Sequence, residues 1–157
     1  MRNASIHPRT LGYLGRALSL EYAAVQQYMT QAALAEAWGL AEAADRFRRE
    51  TVEELQHAER IIKRMLGLGV APNASQLRPV GVAHGLIELL LQDAVLEGEI
   101  IDLYDEATRF CRRIGDHENA VFFAGLLQDE LHHAGEIDTW LQELGVGADN
   151  RDERAVF

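Results

Sequence analysis

Six side chains able to bind metal recur along the chain in two copies of one pattern. Each copy holds a lone glutamate and, 33 residues later, a Glu-x-x-His motif, and the copies lie 76 residues apart. Residues three apart on a helix share one face, so the glutamate and histidine of each motif point the same way. Two lone glutamates with two such motifs form the ligand set of a carboxylate-bridged pair of metal ions in a four-helix bundle. The six residues are Glu21, Glu54, His57, Glu97, Glu130 and His133.

The residues around these candidate ligands repeat with the same offset. Tyr28 recurs as Tyr104, and Phe47 recurs as Phe123. Each carboxylate interrupts an apolar helical stripe that should face the core. A buried carboxylate without a partner is costly, and four of them with two neutral imidazoles carry four negative charges, which two divalent ions would cancel. The pattern therefore predicts a metal site, whereas core packing would explain the two tyrosines equally well.

The composition is that of one helical domain. The chain has 157 residues, 48% of them hydrophobic, and only three prolines interrupt it. Its net charge of −10 argues against a nucleic-acid partner and suits a protein that attracts small cations. A single cysteine, Cys111, excludes an internal disulfide and fits a reducing compartment. Because neither a signal peptide nor a membrane span is evident, the sequence predicts a cytoplasmic protein with no membrane partner.

Turn residues divide the chain into four predicted helices. They run from about Pro8 to Trp38, from Leu40 to Leu66, from Val82 to Arg113 and, after a tight connection at Gly115-Asp116, on to about Leu144. The connection from Gly67 to Gly81 is the long one. A helix of this size is about 39 Å long, and about fifteen extended residues reach about 50 Å. The connection can therefore run the length of the bundle, which predicts an all-α, ferritin-like bundle with one long crossover between helices 2 and 3.

The sequence resembles the bacterioferritins over almost its whole length. The resemblance rests on the segments LEYAAVQQY at 20–28, EELQHAE at 53–59 and DELHH at 129–133, and on the Trp38-Gly39-Leu40 connection. It implies oxidation of Fe(II) by oxygen or peroxide at two irons per subunit, followed by mineral storage. It also implies a homo-oligomer built from dimers, with a cage of 24 subunits as the closed form.

The resemblance also implies a role for each candidate ligand. Glu21 and His57 would hold one iron, Glu97 and His133 would hold the other, and Glu54 and Glu130 would bridge them. Tyr28 matches the tyrosine beside the site in that family. These seven residues are the predicted catalytic set, and all except Tyr28 are the predicted metal ligands.

Two features depart from the family pattern. Haem-carrying bacterioferritins have a methionine after the bridging glutamate of the second helix, where this chain has Leu55. A leucine cannot ligate iron, so the sequence predicts no haem at the usual site. The second departure is the tail at 146–157, which is charged and poor in apolar residues. We therefore expect the bundle to occupy 1–145 and do not expect a stable fifth helix after it.

Two other functions are compatible with the same ligands. Nitrogen and oxygen donors of this kind also suit manganese, so a di-iron or di-manganese peroxidase or catalase without mineral storage is one alternative. One cysteine excludes an attached electron-transfer module of the rubrerythrin kind, which needs four. A non-catalytic bundle stabilised by metal is the other alternative. Three neighbours of the motifs, Glu53, Asp129 and His132, are expected on solvated helix faces that point away from the ligands. The alternative for Glu53 and Asp129 is that they line an entry route for iron.

Overall fold

The chain forms four α-helices and no strand in the residues that the computed structural model describes, which are 6–72, 77–81 and 83–147. Helix α1 spans Pro8–Ala37, α2 spans Ala41–Gly67, α3 spans Leu86–Arg113 and α4 spans His117–Glu143. The predicted all-α fold is confirmed, and the bounds of α1, α2 and α4 lie within a residue or two of those expected.

Helix ends follow local capping chemistry. At the start of α1, the His7 side chain accepts a hydrogen bond from the backbone N–H of Arg9, and Pro8 occupies a first-turn position where its missing N–H is harmless. Each helix is followed by a glycine with positive φ, between 73° and 81°. This left-handed conformation strains residues that carry a Cβ but not glycine. The turn glycines are Gly39, Gly69, Gly115 and Gly145.

Two side-chain pairs fix the direction of α3. Tyr28 of α1 contacts Glu97 of α3, and Tyr104 of α3 contacts Glu21 of α1. Residue numbers therefore rise along one helix as they fall along the other, so α1 and α3 are antiparallel. Because short turns make α1 antiparallel to α2, helix α3 runs parallel to α2. The predicted long crossover is confirmed.

The core consists of apolar and aromatic side chains from all four helices. The repeated pair Phe47 and Phe123 is buried, as are Ile61 and Ile137. Burying a side chain of this size contributes about 1.5–3 kcal/mol to folding. This apolar packing surrounds the carboxylates at mid-bundle and excludes water from them.

Helix α3 begins later than the sequence predicts. The expected start, Val82, lies outside the described residues, and the helix begins at Leu86. Gly85 is extended, with φ −168° and ψ 169°. The Glu88 side chain accepts a hydrogen bond of 2.9 Å from the backbone N–H of His84, the residue before the N-cap. The two glycines of this segment, Gly81 and Gly85, have low helix propensity, and the helix begins after them.

Two remaining predictions concern the C-terminal tail and membrane-spanning helices. Residues 148–157 lie outside the described part of the chain, so the absence of a fifth helix and the boundary at residue 145 stay predictions. Among the described helices, none has the length and apolar character needed to cross a bilayer.

Candidate metal centre

The four helices bring all six predicted ligands together in the middle of the bundle. Helices α1 and α3 contribute one glutamate each, and α2 and α4 contribute one Glu-x-x-His motif each. None of the six residues is more than 5% exposed. The burial follows from the apolar stripe in which each ligand sits. They are Glu21 from α1, Glu54 and His57 from α2, Glu97 from α3, and Glu130 and His133 from α4.

The six side chains form two overlapping groups of four. In each group every residue offers a ligand atom within 4.8 Å of the others. One group contains Glu21 and His57, and the other contains Glu97 and His133. Glu54 and Glu130 belong to both groups. Two adjacent positions for cations, sharing two carboxylates, follow from this geometry.

Both imidazoles turn the same nitrogen toward the carboxylates. His57 Nδ1 lies 2.8 Å from Oε1 of Glu130, 3.0 Å from Oε2 of Glu54 and 3.6 Å from Oε2 of Glu21. His133 Nδ1 lies 3.2 Å from both Glu54 and Glu130. The two rings stack with their centroids 5.5 Å apart. The Nδ1 atoms are therefore the ones available to a cation at each position.

The outer nitrogens of the histidines contact the two acidic neighbours of the motifs. His133 Nε2 lies 2.5 Å from Oε2 of Glu53, and His57 Nε2 lies 3.6 Å from Oδ2 of Asp129. Asp129 is itself 2.6 Å from Arg60. The side chains of Glu53 and Asp129 are about half exposed, as expected, but the expectation that they point away from the ligands was wrong. Each lies on the helix flank that faces the other motif's histidine, because α2 and α4 pack with their Glu-x-x-His segments at one level.

These contacts define the tautomer that suits metal binding. A carboxylate beside Nε2 favours a proton on that nitrogen, so Nδ1 is the atom that can become a ligand once its own proton leaves. His132, which precedes His133, is exposed as the sequence predicts. A cleft of about 320 Å³ reaches the outer side of both histidines from the surface. Its lining includes Glu53, Asp129, His132 and Arg60.

Protons on the two histidines offset the negative charge of the carboxylates. Burial lowers the pKa of both imidazoles, but their contacts with the carboxylates outweigh it; Glu130, Glu21 and Glu54 raise the pKa of His57 well above its usual range. Contacts with Glu130 and Glu54 raise the pKa of His133 to about 12. Both histidines are therefore cationic at neutral pH.

The four glutamates divide into two kinds. Burial raises the pKa of Glu54 and Glu130, but close contacts with His133 and His57 outweigh it and lower both pKa values below the usual range. Burial raises the pKa of Glu21 and Glu97 well above normal, and the charges of Glu130 and Glu54 add to this. Two ionised and two protonated carboxyls thus accompany two cationic imidazoles, and the site as a whole is neutral.

Several of the candidate metal-ligand atoms have no hydrogen-bond partner. The contacts between His57 and Glu130, and between His133 and the bridging pair, are close but lack hydrogen-bond geometry. The buried atoms without a hydrogen-bond partner include Oε2 of Glu21, Oε1 of Glu54, Oε2 of Glu97, both carboxylate oxygens of Glu130 and Nδ1 of His133. Buried polar atoms are normally satisfied, and oxygen and imidazole nitrogen are good ligands for divalent first-row metals. The residues present fit a pair of such cations.

The two tyrosines hydrogen-bond to Glu21 and Glu97, the glutamates that each belong to only one of the two ligand groups. Tyr28 donates a hydrogen bond of 2.6 Å to Oε1 of Glu97, and the Tyr104 hydroxyl donates to Oε1 of Glu21. Both tyrosines are no more than 1% exposed. Tyr28 therefore lies where the sequence places it. Tyr104 was left out of the predicted site, although the 76-residue repeat would have found it.

One further acidic residue near the histidines escaped the sequence analysis. Glu50 lies one helical turn before Glu54, and its Oε2 is 4.0 Å from Nδ1 of His133. Burial raises the pKa of this half-buried carboxyl to about 7. Its counterpart in the repeat is Leu126, so the internal repeat gives no signal for Glu50.

Four helices that hold two glutamates and two Glu-x-x-His motifs at one level define a ferritin-like domain. The family model described as "Ferritin-like domain" accordingly matches residues 11–145. The bacterioferritin of Rhodobacter capsulatus is 36% identical over 131 residues, covering 83% of this chain and 81% of the relative. That of Brucella melitensis is 31% identical over 144 residues, covering 92% and 89%. The chain belongs to the bacterioferritin family.

A solved structure shares the fold as well as the sequence. The R. capsulatus bacterioferritin superposes with a TM-score of 0.83 at 33% identity, over 94% of this chain and 92% of that one. That structure is described as having a metal-free dinuclear site and a haem iron in a crystallographic special position. The resemblance stated from the sequence is therefore confirmed at the level of family and fold.

Proposed function

We propose that the chain is a ferroxidase that oxidises Fe(II) at a carboxylate-bridged pair of metal positions, for iron storage and detoxification. The observation that carries this proposal is the sharing of Glu54 and Glu130 between the two groups of ligand atoms. A pair of irons bound there would give one electron each to oxygen or peroxide. The R. capsulatus relative, described with a dinuclear site, supports the pairing.

The residues of this chain divide the work in the proposed reaction. Glu21 and His57 would hold one position, Glu97 and His133 would hold the other, and the shared Glu54 and Glu130 would contribute to both. Tyr28 orients Glu97 through its hydrogen bond. The apolar packing around the ligands excludes water, and the cleft beside the histidines supports an entry route for cations.

Aerobic titration of the purified protein with Fe(II) tests this proposal. We expect rapid oxidation up to two irons per chain, and loss of this phase in Glu54→Gln. The matched control is Glu59→Gln, which removes an exposed carboxyl from the same helix, where Glu59 pairs with Lys63. Equal oxidation in Glu54→Gln and Glu59→Gln would refute the bridging role.

The same preparation separates the alternative functions. A protein that disproportionates peroxide with manganese, and does not oxidise Fe(II), is the peroxidase or catalase. A protein that binds metal with neither activity is the structural bundle. Iron is favoured over manganese by the family, since the ligand set alone suits both.

The proposed cofactor content is two irons per chain without haem. The R. capsulatus relative is described with a haem iron. In this chain Leu55, at the position of the family's haem-ligating methionine, is 46% exposed on α2 and offers no donor atom. The absence of haem at that position is therefore part of the proposal.

The proposed assembly is a homo-oligomer of two-fold dimers in the cytoplasm, closing into a cage of 24 subunits. Its support is the family and the apolar side chains left at the surface of the isolated chain. Val52 is 53% exposed and lies one helical turn from Leu55, and Val121 is 73% exposed. Contiguous apolar patches at the surface of a single chain are typical of contacts between subunits, and Val52 and Leu55 lie together on one face of α2.

A further inference from the structure

A buried polar cluster lies next to the metal centre, between α1 and α3. Asp93 is fully buried one helical turn before Glu97. Its Oδ1 accepts hydrogen bonds from Nε2 of Gln27 at 2.7 Å and from Nε2 of Gln31 at 2.6 Å. Gln31 is also fully buried, and its Nε2 lies 3.3 Å from the main-chain oxygen of Leu89. The proposed metal ligands do not include any of these three side chains.

Two oxygen atoms in this cluster have no donor. Oδ2 of Asp93 and Oε1 of Gln31 are buried and without a hydrogen-bond partner. They belong to the Asp93 carboxyl and the Gln31 amide, which are already hydrogen-bonded through Oδ1 and Nε2. A proton on Oδ2 would serve both, because a carboxylic acid and a primary amide form a cyclic pair of two hydrogen bonds. An ionised carboxylate would instead leave two buried acceptors unsatisfied.

The charges around Asp93 also favour the protonated form. Burial raises the pKa of Asp93 to about 7, with the charges of Glu50 and Glu54 on α2 adding to it and the two glutamines opposing it. Tyr28 on α1 and Glu97 on its own helix are the other titratable groups nearby. Among the described residues, no lysine or arginine pairs with Asp93.

The cluster breaks the internal repeat. Shifting by 76 residues places Ala17 opposite Asp93, Leu103 opposite Gln27 and Ala107 opposite Gln31. These counterparts are all buried and apolar. The ligands and tyrosines are matched in both halves of the sequence, whereas this cluster occurs in one half only. A buried acid that core packing does not need is present on one side only.

We propose that Asp93 carries a proton on Oδ2 in the metal-free protein and shares it with Oε1 of Gln31. This protonated pair does not rest on the proposed function.

Infrared spectroscopy of the metal-free protein tests the pair by itself. At about pH 6, below the pKa of Asp93, we expect a carbonyl stretch of a protonated carboxyl that disappears in Asp93→Asn. Gln31→Leu should shift this band, because the acid loses its amide partner. Asp102→Asn, which removes an exposed carboxyl from the same helix, should leave it unchanged. The pair is refuted if Asp93→Asn retains the whole band or if Gln31→Leu does not move it.

Discussion

Tyr104 of α3 donates its hydroxyl hydrogen bond to Glu21 of α1, across the same helix interface in which Tyr28 of α1 donates to Glu97 of α3. The two bonds run in opposite directions between the helices. Each hydrogen bond uses one oxygen of a glutamate that belongs to only one ligand group. The other oxygen of that glutamate is buried without a hydrogen-bond partner. The tyrosines therefore orient the two unshared carboxylates in the same way.

Replacing Tyr104 with phenylalanine should weaken the site as much as the same change at Tyr28. Each variant leaves a buried carboxyl oxygen without its donor, which costs about 1–3 kcal/mol of unfolding free energy. We expect lower thermal stability of the metal-free protein and weaker Zn²⁺ binding by calorimetry in both. Tyr22→Phe, on the partly exposed side of α1, is the control. If Tyr104→Phe behaves like that control, Tyr104 is only a core residue.

Metal binding should become stronger as pH rises. At neutral pH the raised pKa values of His57, His133, Glu21 and Glu97 keep a proton on each of these groups. Two divalent cations must displace those protons, so loading should release about four of them per chain. A Zn²⁺ affinity measured across pH 5 to 8 checks the sign. An affinity that is flat or falls with pH would show that the ligands are already deprotonated.

The purified protein should contain no stoichiometric haem, because Leu55 has no atom that can ligate iron. When it is expressed with adequate haem, its absorption spectrum should lack a Soret band at one haem per two chains. Leu55→Met should gain such a band if two subunits pair through this face of α2. Leu131→Met, an exposed change on α4, is the matched control. A full haem complement in the unmodified protein would require a ligand elsewhere.

The ligands could be predicted from the repeat in the sequence because the same chemical requirements apply to both halves. Glu21, Glu54 and their counterparts each need burial, a shared depth and a metal-ligating side chain, and these requirements leave a common spacing. The outward contacts of Glu53 and Asp129 depend on how α2 and α4 pack, which spacing within one helix does not encode. Asp93 has no acidic counterpart in the other half, so the pattern that found the ligands passes over it.

Assembly is best tested by light scattering on the purified protein. We expect particles of about 24 chains, with two-fold dimers as the smaller species, because closed symmetry is usual for soluble homo-oligomers. Deleting 148–157 would show whether the tail is needed for closure. A dimer at micromolar concentration, with or without iron, would exclude storage in a shell and leave a ferroxidase that passes its iron elsewhere.

Anomalous diffraction from crystals soaked with Fe(II) tests the paired site directly. We expect two iron peaks per chain, one beside Glu21 and His57 and the other beside Glu97 and His133, with the carboxylates of Glu54 and Glu130 contacting both. Glu54→Gln crystals treated in the same way should lose the pair. A single peak in the wild-type chain, or iron bound only at the outer acids Glu50 and Glu53, would contradict the bridged pair and the ferroxidase reaction proposed for it.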